Sequence, residues 1–434
     1  MSAIVVSAST GPLNLGDEAM LSENLRVLRE AGLSAVTVLS DDPPKTRAFH
    51  GVDAIPSFYQ AFHLRYGSPW RRRYRVLLPI YLARLVWNAS RLRRGNPLVG
   101  LGPIERLVLD TIAGADAFLM VGAGGFNDLW RFHGIYARGA EILMAKCLGK
   151  PVFIGAQGVG PVHRRPSRFI LSHVFRGTYF TLRDFGVSQR EVIGRLRIPG
   201  ARVVEALDDA FDLAPTETSA CLSFLRFEGL DGFNREKRVA AVCVRGWWKR
   251  RQQGSHLQTT FSEILRSLVD EGFFVLVLPM SLSEGEVFEV FNDTESSQTI
   301  LRLAGLIDHP KVRVVRGISS GSDVKGMLSL VHAAVGSSYH FNLFALTMGT
   351  PAVGLYQDDY YRMKFEGLNR LFRNSAPFYD VRQTPTANIV SHLIGLSSGP
   401  RAALVPDASR PIGALLAARA VAASLSGKAP CRQA

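Results

Sequence analysis

Short apolar runs alternate with longer segments of helical character along the first half of the chain. The predicted strands are Ile4–Ser9, Ala35–Leu39, Ala117–Val121, Val152–Ala156, Tyr179–Leu182 and Val203–Ala206. The predicted helices are Asp17–Glu30, Ile104–Ala113 and Ile135–Leu148. Short continuous apolar runs are typical of strands buried on both faces. Their alternation with helices predicts βαβ units and a parallel sheet with right-handed crossovers.

A second series of the same kind follows Leu213–Lys237, whose polar residues and Pro215 predict an interdomain hinge. Its predicted strands are Val239–Val244, Phe273–Pro279, Val312–Val315, Ala333–Val335 and Ala352–Leu355. Its predicted helices are Ser255–Asp270, Val324–Leu330 and, near the end of the chain, Ile412–Leu425. The pattern predicts an α/β protein with two Rossmann-like domains, residues 1–215 and 236–400, facing each other across a cleft. Residues 401–434 are expected to form an Ala-rich helix and a tail.

Length and composition support two domains. A chain of 434 residues is long for a single domain, and 47% hydrophobic with 20% charged residues is enough apolar material for two cores. The first residues lack the cationic and long apolar regions of a signal peptide, and no long uncharged apolar run predicts a membrane-spanning helix. Four scattered cysteines predict neither a disulfide framework nor a zinc site. We therefore expect a cytoplasmic protein.

The net charge of +14 is concentrated in one insertion at about residues 60–100, since no acidic residue lies between Asp53 and Glu105. Its arginines are Arg65, Arg71, Arg72, Arg73, Arg75, Arg84, Arg91, Arg93 and Arg94. Its larger aromatic residues include Tyr66, Trp70, Tyr74, Tyr81 and Trp87. Such a segment can pack on its own domain with solvated arginines, or bind an anionic membrane surface. We expect peripheral binding to the inner face of the plasma membrane through Arg65–Arg94, and no nucleic-acid partner, since no nucleic-acid-binding signature accompanies the charge.

The loop Gly11–Glu18 follows the first predicted strand and begins a helix. Its glycines, Gly11 and Gly16 on either side of Asn14, allow a tight turn and close approach of a ligand, and the helix N-terminus favours an anion. The loop lacks the spacing of a dinucleotide-binding or P-loop motif. Asp17 is a candidate general base, and its alternative role is a helix cap.

Two further glycine-rich segments follow predicted strands. Gly124 and Gly125 belong to the first, and Gln157 and Gly158 belong to the second, Gly155–Pro161. We expect all of these segments to be turns at the carboxyl edge of one sheet, where their backbone N–H groups could bind phosphate or hydroxyl groups.

Two arginines come directly after predicted strands, where a guanidinium could bind phosphate or carboxylate. They are Arg183 and Arg245, and each could instead form a structural ion pair. Asp208 and Asp209 are adjacent and would point in opposite directions on a strand, so one metal site would not use both. With no metalloprotease, EF-hand or kinase pattern present, no metal is expected.

His340 is the strongest candidate catalytic residue. The segment Gly336–Tyr356 begins at a strand end, continues as an apolar helix and breaks at Gly349–Pro351. This places His340 near a helix N-terminus outside the carboxyl end of a parallel strand, which is where open α/β sheets bind ligands. A histidine there can exchange protons near neutral pH.

Taken in order, these segments resemble the polysaccharide pyruvyl transferase family over roughly residues 1–390. The matching segments are Asn14–Leu21, Gly122–Gly125, Gly155–Pro161, Leu182–Asp184 with Ser188, Asp208–Phe211, Val242–Arg245, Tyr339–His340 and Gly349–Pro351. The resemblance implies a fold like that of GT-B glycosyltransferases. It also implies phosphoenolpyruvate as the donor, a sugar diol on a lipid-linked or polymeric glycan as the acceptor, a ketal product, and no cofactor.

One position departs from the family pattern. The family often has an arginine two residues before the histidine, and this chain has Ser338 there, followed by Tyr339. If that arginine binds the donor in relatives, this chain uses another cation, has a different donor or is inactive. The candidate cations are Arg183, Arg245, Arg362 and Lys364. The alternatives are a GT-B-type glycosyltransferase that uses a nucleotide sugar, or a non-catalytic homologue that binds a glycan or a membrane.

Overall fold

The computed structural model describes residues 2–11, 13–67, 74–199, 203–227, 238–245, 255–282, 292–398 and 410–427. The chain forms two compact units. The first comprises Met1–Gly11, Met20–Ala210 and Ser409–Ala434, and the second comprises Pro12–Ala19 and Phe211–Ala408. Trp70 and Arg71–Arg73 of the basic insertion, residues 228–237 of the expected hinge and most of the expected C-terminal tail lie outside the described residues.

Each unit is built on a parallel sheet. The strands are β1 Ala3–Ser7, β2 Ala35–Ser40, β3 Asp53–Pro56, β4 Ala117–Met120, β5 Ala123–Phe126, β6 Val152–Val159, β7 Tyr179–Leu182, β8 Val204–Glu205, β9 Val239–Cys243, β10 Phe274–Val277, β11 Val312–Val314, β12 Ala333–Gly336, β13 Ala352–Tyr356 and β14 Phe378–Asp380. The first sheet has the order β3-β2-β1-β4-β6-β7-β8, with β5 paired to β6, and the second has the order β11-β10-β9-β12-β13-β14. The order in both is Rossmann-like.

Helices connect these strands. They are α1 Leu15–Glu30, α2 Pro43–His50, α3 Phe58–Tyr66, α4 Tyr74–Arg93, α5 Pro103–Gly114, α6 Gly139–Cys147, α7 Arg165–Phe175, α8 Val187–Arg190, α9 Thr218–Phe227, α10 Ser255–Asp270, α11 Asp293–Ala304, α12 Gly321–Leu328, α13 Tyr339–Thr347, α14 Asp359–Leu371, α15 Thr386–Ser398 and α16 Gly413–Leu425. Phe132–Arg138 and Glu191–Arg195 are π-helical. The sequence prediction of an α/β protein with two Rossmann-like sheets is confirmed.

Local sequence explains several helix ends. Asn292 caps α11 by accepting a hydrogen bond from the Thr294 amide, and Gly305 ends that helix in the left-handed region. Ser320 and Asp323 form a capping box at the start of α12.

In the second unit, buried side chains of β9, β10 and α10 form one apolar core, which holds the carboxyl ends of the strands in place.

Two expected glycine turns were wrong. Gly124 and Gly125 lie in the strand β5, Ala123–Phe126. Gly155–Pro161 was expected to be a loop, but β6 extends through Val159, and its residues are buried. The glycines serve close packing, because a Cβ at Gly155 would lie 2.9 Å from an Asp209 carboxylate oxygen. A Cβ at Gly158 would lie 2.5 Å from Asp184 Oδ2. Glycine therefore marks close contacts inside a strand here, where the sequence pattern had indicated a turn.

Segments near both ends of the chain belong to units other than those that the expected domain limits gave them. Residues Pro12–Ala19 belong to the second unit, so α1 begins among its residues and continues into the first. The helix α16, which was expected to stand apart, belongs to the first unit and packs against β6. A Cβ at Gly413 would lie 2.5 Å from the Ala156 Cβ, which shows how closely the start of α16 approaches that strand.

The described part of the basic insertion forms α3 and α4. One side of α4 is buried through Leu78, Leu82 and Leu85. Among the described helices, none combines the length and apolar character needed to cross a membrane.

Candidate functional site

The order of the second sheet reverses direction between β9 and β12, and the strongest sequence candidates follow these two strands. Arg245 comes two residues after β9, and α13 begins at Tyr339 soon after β12. His340 is therefore in the first turn of α13, as the sequence predicted. Open α/β sheets bind ligands at this reversal, outside the carboxyl ends of the strands.

The Asn14 loop lies in the second unit and contacts His340. The Leu15 amide donates to the Met280 carbonyl at 2.9 Å, which fixes the start of α1 beside β10. Gly16 then packs directly on the imidazole, because a Cβ at this position would lie 2.0 Å from His340 Nδ1. Asn14 Nδ2 donates to Asp17 Oδ2 at 2.7 Å. The N-termini of α1 and α13 thus meet at His340.

Arg245 is buried in an ion pair next to this contact. Its Nη1 donates to Asp293 Oδ2 at 3.3 Å, and the same oxygen accepts from the backbone amides of Met280 and Ser281. Burial lowers the pKa of Arg245, but Asp293, Tyr361 and Asp17 raise it more, so the net pKa lies above its ordinary value. The guanidinium therefore remains charged, and the influence of Asp17 shows that the Asn14 loop lies within its electrostatic reach.

Lys364 lies within a cluster of tyrosines that includes Tyr339, the neighbour of His340 in the chain. Its Nζ is 4.5 Å from the ring centroid of Tyr360, 5.4 Å from that of Tyr339 and 5.9 Å from that of Tyr361. The ring of Tyr339 is in turn 5.2 Å from the ring of His340. Ring faces stabilise a cation, so the cluster holds a buried positive charge beside the histidine.

Arg362 has the opposite environment. It is exposed, and it pairs along the surface of α14 with Asp359 at 3.2 Å and Glu366 at 3.5 Å. Ser338 is the N-cap residue of α13, but its side chain makes no capping hydrogen bond. Among the candidates to replace the family arginine within this unit, Arg245 and Lys364 are the buried cations near His340.

The remaining predicted binding residues lie in the first unit. Gln157 is inside β6 and donates from Nε2 to the Val121 carbonyl at 2.7 Å. Arg183 is buried and pairs with Asp208. Gly124 and Gly125 are in β5 and stay partly exposed. Each unit therefore carries its own subset of the predicted residues.

Asp208 and Asp209 have separate hydrogen-bond partners. Asp209 accepts hydrogen bonds from Asn24 Nδ2 and from the amides of Gly122 and Ala156. Burial and the neighbouring Asp208 raise the pKa of Asp209 to about 6. In the part of the chain that the structure describes, no cluster of side chains has the composition of a metal site.

Asp293 is a site residue that the sequence analysis missed. It is the first residue of α11, a helix that was not predicted, and it joins Arg245 to the segment that holds the Asn14 loop. The signal was present, because Asn292 followed by Asp293 and Glu295 is a typical helix start. A helix predicted there would have placed a carboxylate at the carboxyl edge of the sheet.

Solved structures with a similar fold include enzymes that act on sugars. The UDP-GlcNAc 2-epimerase from Neisseria meningitidis bound to UDP-GlcNAc is 13% identical with a TM-score of 0.61, covering 99% of this chain and 100% of that chain. A glycosyltransferase from Rickettsia africae is 11% identical with a TM-score of 0.54, covering 98% and 94%. The UDP-GlcNAc 2-epimerase from Methanocaldococcus jannaschii is 9% identical with a TM-score of 0.59, covering 98% and 100%. At such identities the likeness shows the fold, and this chain has the GT-B-like fold with two Rossmann-like units.

The family follows from the sequence itself. The profile of the polysaccharide pyruvyl transferase family matches residues 14–359, most of the chain, and the protein belongs to this family. No curated protein matches the chain in sequence. The matched range includes Gly16, Arg245 and His340, and it ends before Arg362 and Lys364.

Proposed function

We propose that this protein transfers a pyruvyl group from phosphoenolpyruvate to a sugar diol of a cell-surface polysaccharide or its lipid-linked precursor, forming a ketal. The observation that carries the proposal is the meeting of two helix N-termini and two buried cations around His340 in the second unit. Phosphoenolpyruvate bears a phosphate and a carboxylate, and helix N-termini, Arg245 and Lys364 are the groups that bind such anions.

His340 is proposed to exchange protons with the donor. Ketal formation adds a proton to the methylene carbon of phosphoenolpyruvate and makes its C2 carbon electrophilic. One acceptor hydroxyl then attacks C2, phosphate leaves, and a second hydroxyl closes the ring. An imidazole held against Gly16 by packing is suited to the first proton transfer, because positioned acid–base groups contribute about 10²–10⁴-fold. Asp17, which is held by Asn14, is proposed as its catalytic partner.

The predicted binding residues of the first unit stay part of the proposal. Gly124, Gly125, Gln157, Gly158 and Arg183 stay candidates for substrate binding, and their surroundings favour an indirect role for some of them. Gln157 and Arg183 are already engaged in internal bonds, whereas Gly124 and Gly125 remain partly exposed. We therefore favour the two glycines as the direct contacts.

The exposed side of α4 supports the proposal that the protein binds an anionic membrane surface from the cytoplasmic side. Val76 and Ile80 are each 61% exposed and Trp87 is 49% exposed. These positions lie on one face of the helix, and the Arg91 guanidinium is 4.8 Å from the Trp87 ring. An exposed apolar strip flanked by arginines fits the interface of an anionic bilayer. A lipid-linked acceptor would be presented there.

A donor panel tests the function. Binding of phosphoenolpyruvate should raise the melting temperature by mass action, and phosphate should be released when a glycan acceptor is added. UDP-GlcNAc, measured in parallel, tests the nucleotide-sugar alternative. Stabilisation by UDP-GlcNAc together with release of UDP would replace our proposal by a glycosyltransferase. Stabilisation by neither donor would favour a non-catalytic homologue.

A further inference from the structure

A second polar cluster lies in the first unit, at the carboxyl ends of β1 and β2. Asp41 follows β2 directly and is buried. Its Oδ2 is 2.8 Å from His133 Nε2 and 2.7 Å from Arg138 Nη2, and its Oδ1 accepts from the Ser57 hydroxyl at 2.5 Å. The first sheet reverses direction between β1 and β4, so this cluster occupies the part of a Rossmann-like unit that binds ligands.

The surroundings of Asp41 fix which nitrogen of His133 carries a proton. Burial raises the pKa of Asp41, but Arg138 and His133 lower it by more, so the net pKa is about 2. The carboxylate is therefore ionised at neutral pH and can only accept hydrogen bonds, so Nε2 of His133 carries the proton. In the neutral form of the ring, Nδ1 then has the lone pair. Within the described residues no group forms a hydrogen bond to Nδ1, and the side chain is 23% exposed.

Close packing holds the imidazole in place. A Cβ at Gly134 would lie 2.0 Å from the Gly125 carbonyl oxygen, so the residue after His133 sits directly on β5. The Tyr59 ring packs edge-on against the imidazole, with centroids 4.8 Å apart. Asn127 Oδ1 accepts from the Leu129 and Trp130 amides and orders the turn that leads to His133. The imidazole is therefore held in a defined orientation, as a proton-transfer group requires.

The three residues that precede His133 in the chain have side chains that suit a sugar. Trp130 and Phe132 are partly exposed, and aromatic faces can cover the C–H face of a pyranose ring. The Arg131 guanidinium lies 4.5 Å from the Phe132 ring, and burial, with Arg164 and Arg75 nearby, lowers the pKa of Arg131. Partly exposed aromatic and cationic residues thus directly precede the partly exposed His133 in the chain.

We propose that His133 is a second acid–base group of the enzyme, located in an acceptor-sugar site of the first unit, and that Asp41 is its positioning residue. This inference rests on the proposed function. Ketal formation consumes one proton at the donor methylene and one at the departing phosphate, and it releases one from each hydroxyl. His133 Nδ1 takes up the proton that one hydroxyl of a sugar bound in this site loses, and the imidazolium then releases that proton to water.

Two variants and a matched control test the catalytic role. His133→Gln should lower kcat by about 10²-fold or more while the affinity for phosphoenolpyruvate stays within about twofold, and added imidazole should restore part of the rate. Asp41→Asn should lower kcat more than it raises KM, because an amide stabilises an imidazolium poorly. His173→Gln changes another histidine of the first unit, on α7, and should keep wild-type kinetics. A folded His133→Gln variant with wild-type kcat overturns the inference.

A binding experiment separates this inference from the proposed function. The ring signals of His133 in the ¹⁵N-histidine-labelled protein, assigned by their absence in His133→Gln, should shift when methyl glycosides of glucose, galactose or mannose are added. They should not shift with phosphoenolpyruvate alone. A wild-type protein that shows these sugar shifts but releases no phosphate contradicts the proposed function and retains the sugar site. Signals unmoved by every glycoside overturn the site even if phosphate is released.

Discussion

Lys364 and Arg362 lie two positions apart on α14 and have different environments. The ammonium of Lys364 is buried among three tyrosine rings beside His340, whereas Arg362 is exposed and pairs with acids of its own helix. A surface ion pair contributes little, and a buried cation at an anion site contributes much more. The environment of each cation therefore decides which of the two can replace the family arginine, whose position is occupied by Ser338 in this chain.

We predict that Lys364→Met weakens the binding of phosphoenolpyruvate by at least about tenfold, since a hydrogen bond to a charged group contributes ~1.5–3 kcal/mol. Arg362→Met, on the same helix, should change the affinity by less than about twofold. Isothermal titration of the two variants measures the difference. Equal effects of the two substitutions would show that Lys364 does not bind the donor.

His340→Ala should lower kcat by about 10²–10⁴-fold and leave the affinity for phosphoenolpyruvate largely unchanged, because the imidazole is proposed to move protons. His392→Ala on α15, where the side chain bonds to Tyr379, is the control and should keep normal turnover. Steady-state release of phosphate provides both values. More than about half of wild-type activity in His340→Ala would exclude the catalytic role.

At the scale of elements, the start of α1 is shaped by its contact with α13. Gly16 has no side chain, and the imidazole of His340 occupies the space where a Cβ would be. Glycine is about 1 kcal/mol less favourable than alanine in a helix. The helix α1 has this disfavoured residue in its first turn, and it is the residue that allows the contact with His340.

Gly16→Ala should therefore lower turnover by about tenfold or more, because either His340 or the first turn of α1 must move. Gly395→Ala is the matched control, since Gly395 is within α15 and a Cβ there would meet nothing within 4 Å. The control should keep full activity and gain up to about 1 kcal/mol in the free energy of unfolding. Kinetics and thermal unfolding of both variants test this. Full activity in Gly16→Ala would contradict the close contact.

The exposed strip on α4 leads to a prediction about lipid binding. The double variant Ile80→Ser with Trp87→Ser should bind vesicles of phosphatidylcholine mixed with phosphatidylglycerol at least about tenfold more weakly, because burial of a large apolar side chain contributes ~1.5–3 kcal/mol. Binding of the wild type should fall as salt rises, and it should be weak on phosphatidylcholine alone. Vesicle flotation measures both.

Leu303→Ser removes a similarly exposed apolar side chain from α11 and should bind like the wild type. Equal flotation of wild type and double variant, or equal binding to neutral and anionic vesicles, would mean that α4 is not the lipid-binding surface.

Buried strands and regular amphipathic helices were predicted well from the sequence, whereas an edge strand and long-range contacts were not. The strand β7 and the helix α10 have the predicted bounds, because continuous apolar runs and a regular amphipathic period are local signals. The edge strand β3 contains Asp53 and Pro56, which obscure a strand pattern. The pair Asp41 and His133 is separated by 92 residues, and no local pattern joins them. His340 was found because a strand end and a helix start lie within a few residues of it.

At the scale of the whole molecule, buried carboxylates make stability depend on pH. The pKa of Asp41 is about 2 in the folded protein, below its ordinary value of 3.8, chiefly because of Arg138 and His133. The unfolded chain therefore takes up this proton first. The stabilisation is fully present above about pH 4 and is lost as the pH falls towards 2.

The pKa shift corresponds to about 2 kcal/mol of stability for the first unit. Asp41→Asn should remove this part of the acid dependence and make the free energy of unfolding flatter between about pH 4 and pH 2. Urea unfolding at a series of pH values tests it, with Asp53→Asn as a control at an exposed carboxyl. An unchanged slope in Asp41→Asn would show that other carboxyls determine the acid limit.

The division of the chain between the two units has a consequence for synthesis. The ribosome makes Pro12–Ala19 early, but the residues that this segment packs against, Met280 and His340, are made much later. The first unit likewise receives its last helix, α16, from the end of the chain. Domains generally fold as they emerge, yet neither unit here is complete until nearly the whole chain has been translated. A nascent chain stopped at Ala210 would lack α16, and a separately expressed fragment starting at Phe211 would lack the glycine that contacts its histidine.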